Sequence, residues 1–179
     1  AANDTYYGGA ASDTYLLLDG NDYVSPGAGN DVVSGGAGQD WLSYFVAPSA
    51  VWLDMQSGTG LLGHAAGDSW NGIERISGSN HDDFLVGGDQ DTTFYGNGGD
   101  DQFKGAGGAE SFSGGAGIDA VSYENSDAGV IVEPTIGIGG DAEGDTYASI
   151  ERFRGSNYDD IFLGNAGGRA NVLTCTALN

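Results

Sequence analysis

Aspartate recurs at a fixed interval near the start of the chain. Asp4, Asp13, Asp22, Asp31 and Asp40 stand nine residues apart, and two positions after each comes a large apolar residue: Tyr6, Tyr15, Val24, Val33 and Leu42. A period this short constrains the fold severely. One unit has room for a turn and a three-residue strand, and its single apolar side chain can be buried only by stacking units on one another. The clearest copy is GGAGQDWLS, residues 35–43.

The same frame returns between Gly78 and Ser122, where Gly78, Gly87, Gly96, Gly105 and Gly114 open the units and Leu85, Phe94, Phe103, Phe112 and Val121 fill the apolar slot. A third copy begins at Gly155 with GSNYDDIFL. A longer period lies over the short one. GGAGQDWLSY at Gly35 returns as GGAGIDAVSY at Gly114, and GDSWNGIERISGSNHDDFLVG at Gly67 returns as GDTYASIERFRGSNYDDIFLG at Gly144. The chain therefore reads as one unit in five parts: a nonapeptide block over 1–43, a connector over 44–77, a block over 78–122, a connector over 123–154 and an incomplete block over 155–179.

Within each unit, the residues around the apolar position alternate outward, inward, outward, as in a very short strand. The preceding six residues must turn the chain, and glycine serves there because tight turns visit positive φ and successive coils pack closely. Two units make one 18-residue coil. Asp4, Asp22 and Asp40 then stack on one edge, and Asp13 with Asp31 on the other, at the ~4.8 Å spacing of neighbouring strands. Such carboxylate ladders repel one another unless a cation lies between them. Ca²⁺, which takes six to eight oxygen ligands from carboxylates and backbone carbonyls, suits a glycine-rich turn. Turn chemistry alone also favours Asp, but it explains neither the 18-residue ladder nor the charge.

These residues resemble the GGxGxDxUx nonapeptide repeats of the RTX, or hemolysin-type, calcium-binding family, and the connectors resemble those of the R-modules of alginate C5-epimerases. The resemblance implies an all-β fold, a right-handed parallel β-roll interrupted by two irregular connectors. It also implies ions seated between turns 18 residues apart. One would use Gly9, Ala11 and Asp13 with Pro26, Ala28 and Asp31; another Leu18, Gly20 and Asp22 with Gly35, Ala37 and Asp40; a third Asp4 with Asp22. In the second block the rule pairs Asp83 with Asp101 and Asp101 with Asp119, with backbone ligands from Gly96, Asn97, Gly98, Gly99, Gly114 and Ala116. About five or more ions are expected. The opposite edge of that block carries Glu74, Thr92 and Glu110, and is expected to bind weakly or not at all unless Asp89 or Asp91 substitutes. In the third block Asp160 fits the frame. Two extra residues, Gly168 and Arg169, precede Asn171 in the next Asp slot, and Arg169 is expected to neutralise the end of the ladder.

The charge balance agrees with cationic partners: 26 acidic residues face 5 basic ones, a formal net charge of −21. A polyanion is repelled by nucleic-acid phosphates and anionic lipid head groups, so no nucleic-acid partner is expected. Glycine is abundant at 34 residues, but there are only 3 prolines and no Gly-X-Y period, which excludes collagen. No run of 18 apolar residues exists to insert into a membrane, and the lone Cys175 has no internal partner for a disulfide. The sequence has no initiator Met and no signal peptide, so it is expected to be part of a longer protein.

Outside the turns, Thr5, Tyr23 and Trp41 should line one outer face with Tyr7 beside them, a row that could stack on sugar rings or be covered by a neighbouring domain. Arg75 and Arg152, in the recurring IERIS and IERFR segments, are the first choices for an anionic glycan. Trp52 and Trp70, replaced by Ile131 and Tyr147 in the second copy, are expected to be packing residues. His64 and His81 lack zinc spacing and are expected in exposed loops. Acidic pairs such as Asp82 with Asp83, Asp100 with Asp101 and Asp159 with Asp160 resemble a glycosidase dyad only superficially, because each contains a repeat-frame Asp. No GxSxG motif and no phosphate-binding loop is present. The sequence thus points to a non-catalytic calcium-binding module of an exported bacterial protein, secreted unfolded by a type I route and folded outside the cell by calcium. An accessory polysaccharide-binding domain of an alginate-active enzyme, and an adhesive spacer of a surface protein, are the alternatives.

Overall fold

The computed structural model describes residues 2–164 and the strand Val172–Thr174. The expectations on Gly168, Arg169 and Asn171 lie outside the described residues. Each nonapeptide of the first block forms one three-residue strand: β1 (Thr5–Tyr7), β2 (Thr14–Leu16), β3 (Tyr23–Ser25), β4 (Val32–Ser34) and β5 (Trp41–Ser43). The first connector supplies β6 (Trp52–Asp54), β7 (Thr59–Leu62) and β8 (Ser69–Asn71), followed by β9 (Arg75–Ser77). The second block gives β10 (Phe84–Val86), β11 (Thr93–Gly98), β12 (Gln102–Lys104), β13 (Ser111–Ala116) and β14 (Ala120–Ser122). Then come β15 (Ile131–Val132), β16 (Gly137–Ile138), β17 (Thr146–Ala148), β18 (Arg152–Arg154), β19 (Ile161–Phe162) and β20 (Val172–Thr174).

Strands alternate between two sheets. One runs β1-β3-β5-β9-β11-β13-β17 and the other β2-β4-β8-β7-β6-β10-β12-β14-β18-β20. The pairing is parallel, with registers offset by 18 residues inside the blocks: Tyr6 on Val24, Tyr15 on Val33, Phe94 on Phe112, Leu85 on Phe103 and Phe103 on Val121. This is a parallel β-roll with open sheets. Its core is the stack of apolar slots predicted from the period. Val24, Val33, Leu42, Leu85, Phe94, Phe103, Phe112 and Val121 are all buried, with Phe94 stacked on Phe112 at 5.6 Å and Phe112 on Tyr147 at 6.1 Å.

The connectors are not loops outside the roll. Each replaces a single strand by three. In the first, β6 and β7 form an antiparallel pair, β7 pairs antiparallel with β8, and β8 rejoins β4 in parallel register while β6 carries β10. The second repeats the arrangement beside the other sheet: β15 pairs antiparallel with β16, the bridge Ile136–Thr146 links this hairpin towards β17, and β15 carries β19. The first connector thus lengthens one sheet by two strands, while the second sets a separate three-stranded sheet, β16-β15-β19, beside the other, joined to it by that single bridge. Because the long unit spans an odd number of half-coils, equivalent residues change sheets. Arg75 lies on β9 of one sheet and Arg152 on β18 of the other.

In several turns the second position combines a positive φ with close stacking, which favours glycine. Gly36, at φ 104°, faces the Leu18 carbonyl of the turn below, where any Cβ would overlap it. Leu18 (φ 71°) and Asn97 (φ 79°) occupy the same position without being glycine, a conformation that strains an L-residue.

Candidate metal centres

Every turn ends on the residue just before a strand, so stacked strands bring these residues into two vertical rows. One row reads Asp4, Asp22, Asp40, Glu74, Thr92, Glu110, Asp145; the other Asp13, Asp31, Asp68 and, beyond the hairpin, Asp83, Asp101, Asp119, Glu151. The backbone N–H of one member donates to a carboxylate oxygen of the next: Asp4 to Asp22 at 2.7 Å, Asp22 to Asp40 at 2.9 Å, Asp13 to Asp31 at 2.8 Å, Asp83 to Asp101 at 2.9 Å and Asp101 to Asp119 at 2.9 Å. The ladder predicted from 18-residue spacing is therefore present, and one oxygen of each carboxylate is used to hold it.

The other oxygen divides the ladder into two kinds of rung. In Asp22, Asp31, Asp40, Asp101 and Asp119, residues at most 1% exposed, Oδ2 is buried and meets no hydrogen-bond partner. It turns back over its own turn, where a Cβ on Gly35, Gly96 or Gly114 would overlap Oδ2 of Asp40, Asp101 or Asp119. A buried anionic oxygen without a partner is costly. Burial, opposed by the Asp83 amide and reinforced by the charges of Asp83 and Asp119, pushes the Asp101 carboxyl up to about 8. Burial likewise raises Asp31, Asp40 and Asp119.

Asp83, Asp160, Asp68 and Asp145 are instead closed by hydroxyl groups. Ser79, standing where the repeat has its second glycine, donates its N–H to Asp83 Oδ2 at 2.5 Å and its hydroxyl to Oδ1 at 2.8 Å. Ser156 donates to Asp160 Oδ1 at 2.7 Å. Tyr44 donates to Asp68 Oδ2 at 2.7 Å, and Tyr123 to Asp145 Oδ2. Burial pushes Asp68 up to about 6, with the Asp31 amide and Tyr44 opposing. Asp68, Asp145 and Glu151 are ladder members that the nonapeptide frame does not reveal, while Glu74 is placed on its edge by that frame: Asp68 Oδ1 accepts the Asp31 N–H at 2.7 Å, Asp145 Oδ1 the Glu110 N–H at 2.7 Å, Glu74 the Asp40 N–H at 2.9 Å and Glu151 the Asp119 N–H at 3.0 Å. Their signal is acid-x-apolar: DSW, DTY, ERI and ERF each put an acid two residues before an inward side chain.

The carbonyl-bearing residues singled out from sequence sit in these stacked turns. Gly9 and Leu18 carbonyls accept the Ala28 and Ala37 amides at 2.7 Å, and Ala37 and Ala116 accept Gly20 and Gly99 at 3.0 Å. Pro26, Ala11, Gly20, Asn97, Gly99 and Gly114 present carbonyls against a glycine of a neighbouring turn. Gly98 pairs with Ala116 across β11 and β13, and the Gly35 N–H reaches Asn71. Among the described residues no cluster of three or more His, Cys, Asp or Glu exists. The donors available to an ion are carboxylate pairs and carbonyls, an all-oxygen set suited to Ca²⁺ and unlike a zinc site. The partnerless oxygens supply the place where such an ion fits.

On the outer face of the first sheet Thr5, Tyr23, Trp41 and Arg75 are in register, and the rings run Tyr7–Tyr23–Trp41–Tyr95 with centroids 5.9, 5.7 and 5.2 Å apart. Tyr95 extends the row predicted from sequence. Trp70 is buried, as a packing residue should be, but Trp52 is 40% exposed, edge-on to Phe84 on the outside of the second sheet. Its position on β6 points it outward, whereas Leu53 next to it fills the core slot. His81 is exposed, while His64 is half-buried in the 3-10 turn Gly63–Ala65. No helix of the described residues is long and apolar enough to cross a membrane.

Compared with known protein families, residues 7–42, 71–103 and 86–121 match the RTX calcium-binding nonapeptide repeat, in four copies. No curated protein matches the chain significantly. The matched segments fall largely on the two nonapeptide blocks, and they contain Asp22, Asp31, Asp40, Asp101 and Asp119. Residues 7–42 and 71–121 are repeats of the RTX calcium-binding nonapeptide-repeat family.

Proposed function

We propose that the chain is a non-catalytic calcium-binding β-roll module of a secreted bacterial protein, one that folds when calcium binds outside the cell. The buried, partnerless Oδ2 atoms of Asp22, Asp31, Asp40, Asp101 and Asp119 carry this reading. Without a cation these rungs place carboxylates in a dry environment. With Ca²⁺ the same oxygens become ligands, so binding free energy is folding free energy. Asp4, Asp13, Asp22, Asp31, Asp40, Asp101 and Asp119 would hold the ions together with the turn carbonyls, whereas Asp83 is occupied by Ser79. The chain itself supplies the stacking that keeps the pairs apart by one rung. A module of this kind stays unfolded in calcium-poor cytoplasm, crosses the envelope as a chain and locks on release. Far-UV circular dichroism during a calcium titration tests the reading. The β-signal should be absent in EDTA and appear cooperatively with calcium but not with magnesium at the same concentration; an unchanged spectrum in EDTA contradicts it.

A second reading, an accessory polysaccharide-binding surface, is favoured by the aromatic row Tyr7–Tyr23–Trp41–Tyr95 with Arg75 in register beside Trp41. Rings at this spacing can stack on successive sugars. Arg152 lies on the other sheet and belongs to no common site with Arg75. Titration with alginate oligomers and with neutral glycans at fixed calcium separates the outcomes: quenching of Trp fluorescence that is lost in Trp41→Ala supports the surface, and no response to any glycan rejects it.

A further inference from the structure

The edge that carries Glu74, Thr92 and Glu110 departs from the nonapeptide rule, yet it contains the least satisfied carboxylate among the described residues. Glu110 is 1% exposed, and neither Oε1 nor Oε2 meets a well-formed hydrogen bond; its carboxyl has the neighbouring Asp145 carboxyl and the Ala106 amide near it. Its position is set by the missing aspartate of the rung before it. Thr92, 3% exposed, bonds its hydroxyl to the Gln90 carbonyl and offers no carboxylate. Glu110, one methylene longer than Asp, reaches back towards that turn. Its Oε1 lies where a Cβ on Gly87 would come within 3.2 Å and one on Gly108 within 2.7 Å, between the turn of the Thr92 rung and its own. The next rung contributes Asp145, whose Oδ1 accepts the Glu110 N–H and whose Oδ2 is fixed by Tyr123. The acidic groups facing Glu110 are Asp145 and Asp91.

We propose that Glu110, with Asp145 beside it, holds an additional hard divalent cation of the calcium class, in a site formed where the second connector rejoins the roll. The arrangement has a counterpart in the first connector. Asp31 stands where Glu110 does, Asp68 where Asp145 does and Tyr44 where Tyr123 does, and the Asp31 Oδ2 is again without a partner. Both connectors therefore close a ladder with the same carboxylate pair, one acid open and the other positioned by a tyrosine hydroxyl. The long Glu side chain compensates for Thr92, so the edge regains a site that the GGxGxD pattern lacks.

This inference rests on the calcium reading of the ladder, and the test separates the two. Native mass spectrometry at saturating calcium counts ions in the wild type and in Glu110→Gln, which keeps the shape of the side chain and removes its charge. One ion fewer in the variant, with an unchanged circular dichroism spectrum, is expected. An equal count overturns the site and leaves a protonated Glu110 as the occupant of the space; a wild type that binds no ions overturns the calcium reading itself. Should the variant fail to fold, anomalous diffraction from wild-type crystals grown with Tb³⁺ decides. A peak beside the Glu110 carboxylate supports the site, and peaks at Asp22, Asp40, Asp101 and Asp119 without one at Glu110 reject it.

Discussion

Asp101→Asn should have opposite effects with and without calcium. Asp101 is fully buried, its Oδ1 accepts the Asp83 N–H, and its Oδ2 is partnerless. Its carboxyl is pushed from 3.8 up to about 8 by burial, so at pH 7 the metal-free folded chain holds a proton there. Keeping that proton about three pH units above the ordinary value costs about 4 kcal/mol, at ~1.4 kcal/mol per unit. Asn is neutral and escapes this cost, while its amide can donate near the Gly114 carbonyl that approaches Gly96 beside Asp101 Oδ2. In EDTA, with enough trimethylamine oxide to bring the chain into its transition, the variant should fold more readily, by up to about 4 kcal/mol. In calcium it should be worse, because the Asp101–Asp119 pair loses a charged ligand. The calcium midpoint should rise at least tenfold, about 1.4 kcal/mol. Denaturation followed by circular dichroism in both conditions reads the two signs. A variant less stable than wild type in EDTA would refute the claim that the ladder carboxylates are an unpaid cost of the metal-free state.

The same shifts set a pH dependence. Folded-state values above the unfolded ones, for Asp101 (about 8), Asp68 (about 6) and, in direction, Asp31, Asp40, Asp83 and Asp119, mean that the folded metal-free chain binds more protons than the unfolded chain. The penalty is nil below about pH 4 and grows through pH 8, and Glu110, pushed up to about 10 by burial, extends it further, so the chelated chain should be more folded at pH 5 than at pH 8; calcium titrations should show the reverse, with weaker binding at pH 5 because protons compete for the ligands. Tyr44→Phe leaves the buried Asp68 Oδ2 without its 2.7 Å donor and should cost about 1–3 kcal/mol in urea denaturation at saturating calcium. Phe112→Ala removes a ring packed between Phe94 and Tyr147 and should cost about 3–5 kcal/mol in the same assay.

The nine-residue period made the core legible, because it repeats a physical requirement: one inward side chain per strand. Val24, Leu42, Phe94 and Val121 are buried for that reason. It made the Asp ladders legible too, since Asp precedes each strand by one residue. Asp68 and Asp145 escaped notice because they sit in the connectors, outside GGxGxD, although the acid-x-apolar triplet they share with Glu74 and Glu151 carries the same information. The reversed order β8-β7-β6 was not readable, because strand direction depends on hairpin pairing and not on the apolar period. The closed rungs were hidden in single substitutions. Ser79 for glycine changes the turn and turns a candidate ligand into a hydrogen-bonded acceptor.

The most direct test of the account is hydrogen exchange by mass spectrometry, with and without calcium, on peptides covering residues 20–42 and 80–121. The amides of Asp22, Asp83 and Asp101, which donate to the carboxylates of the next rung, should be strongly protected in calcium and exchange within seconds after chelation at pH 8. Equal protection in both conditions would contradict the claim that cations at the open carboxylates hold the roll together.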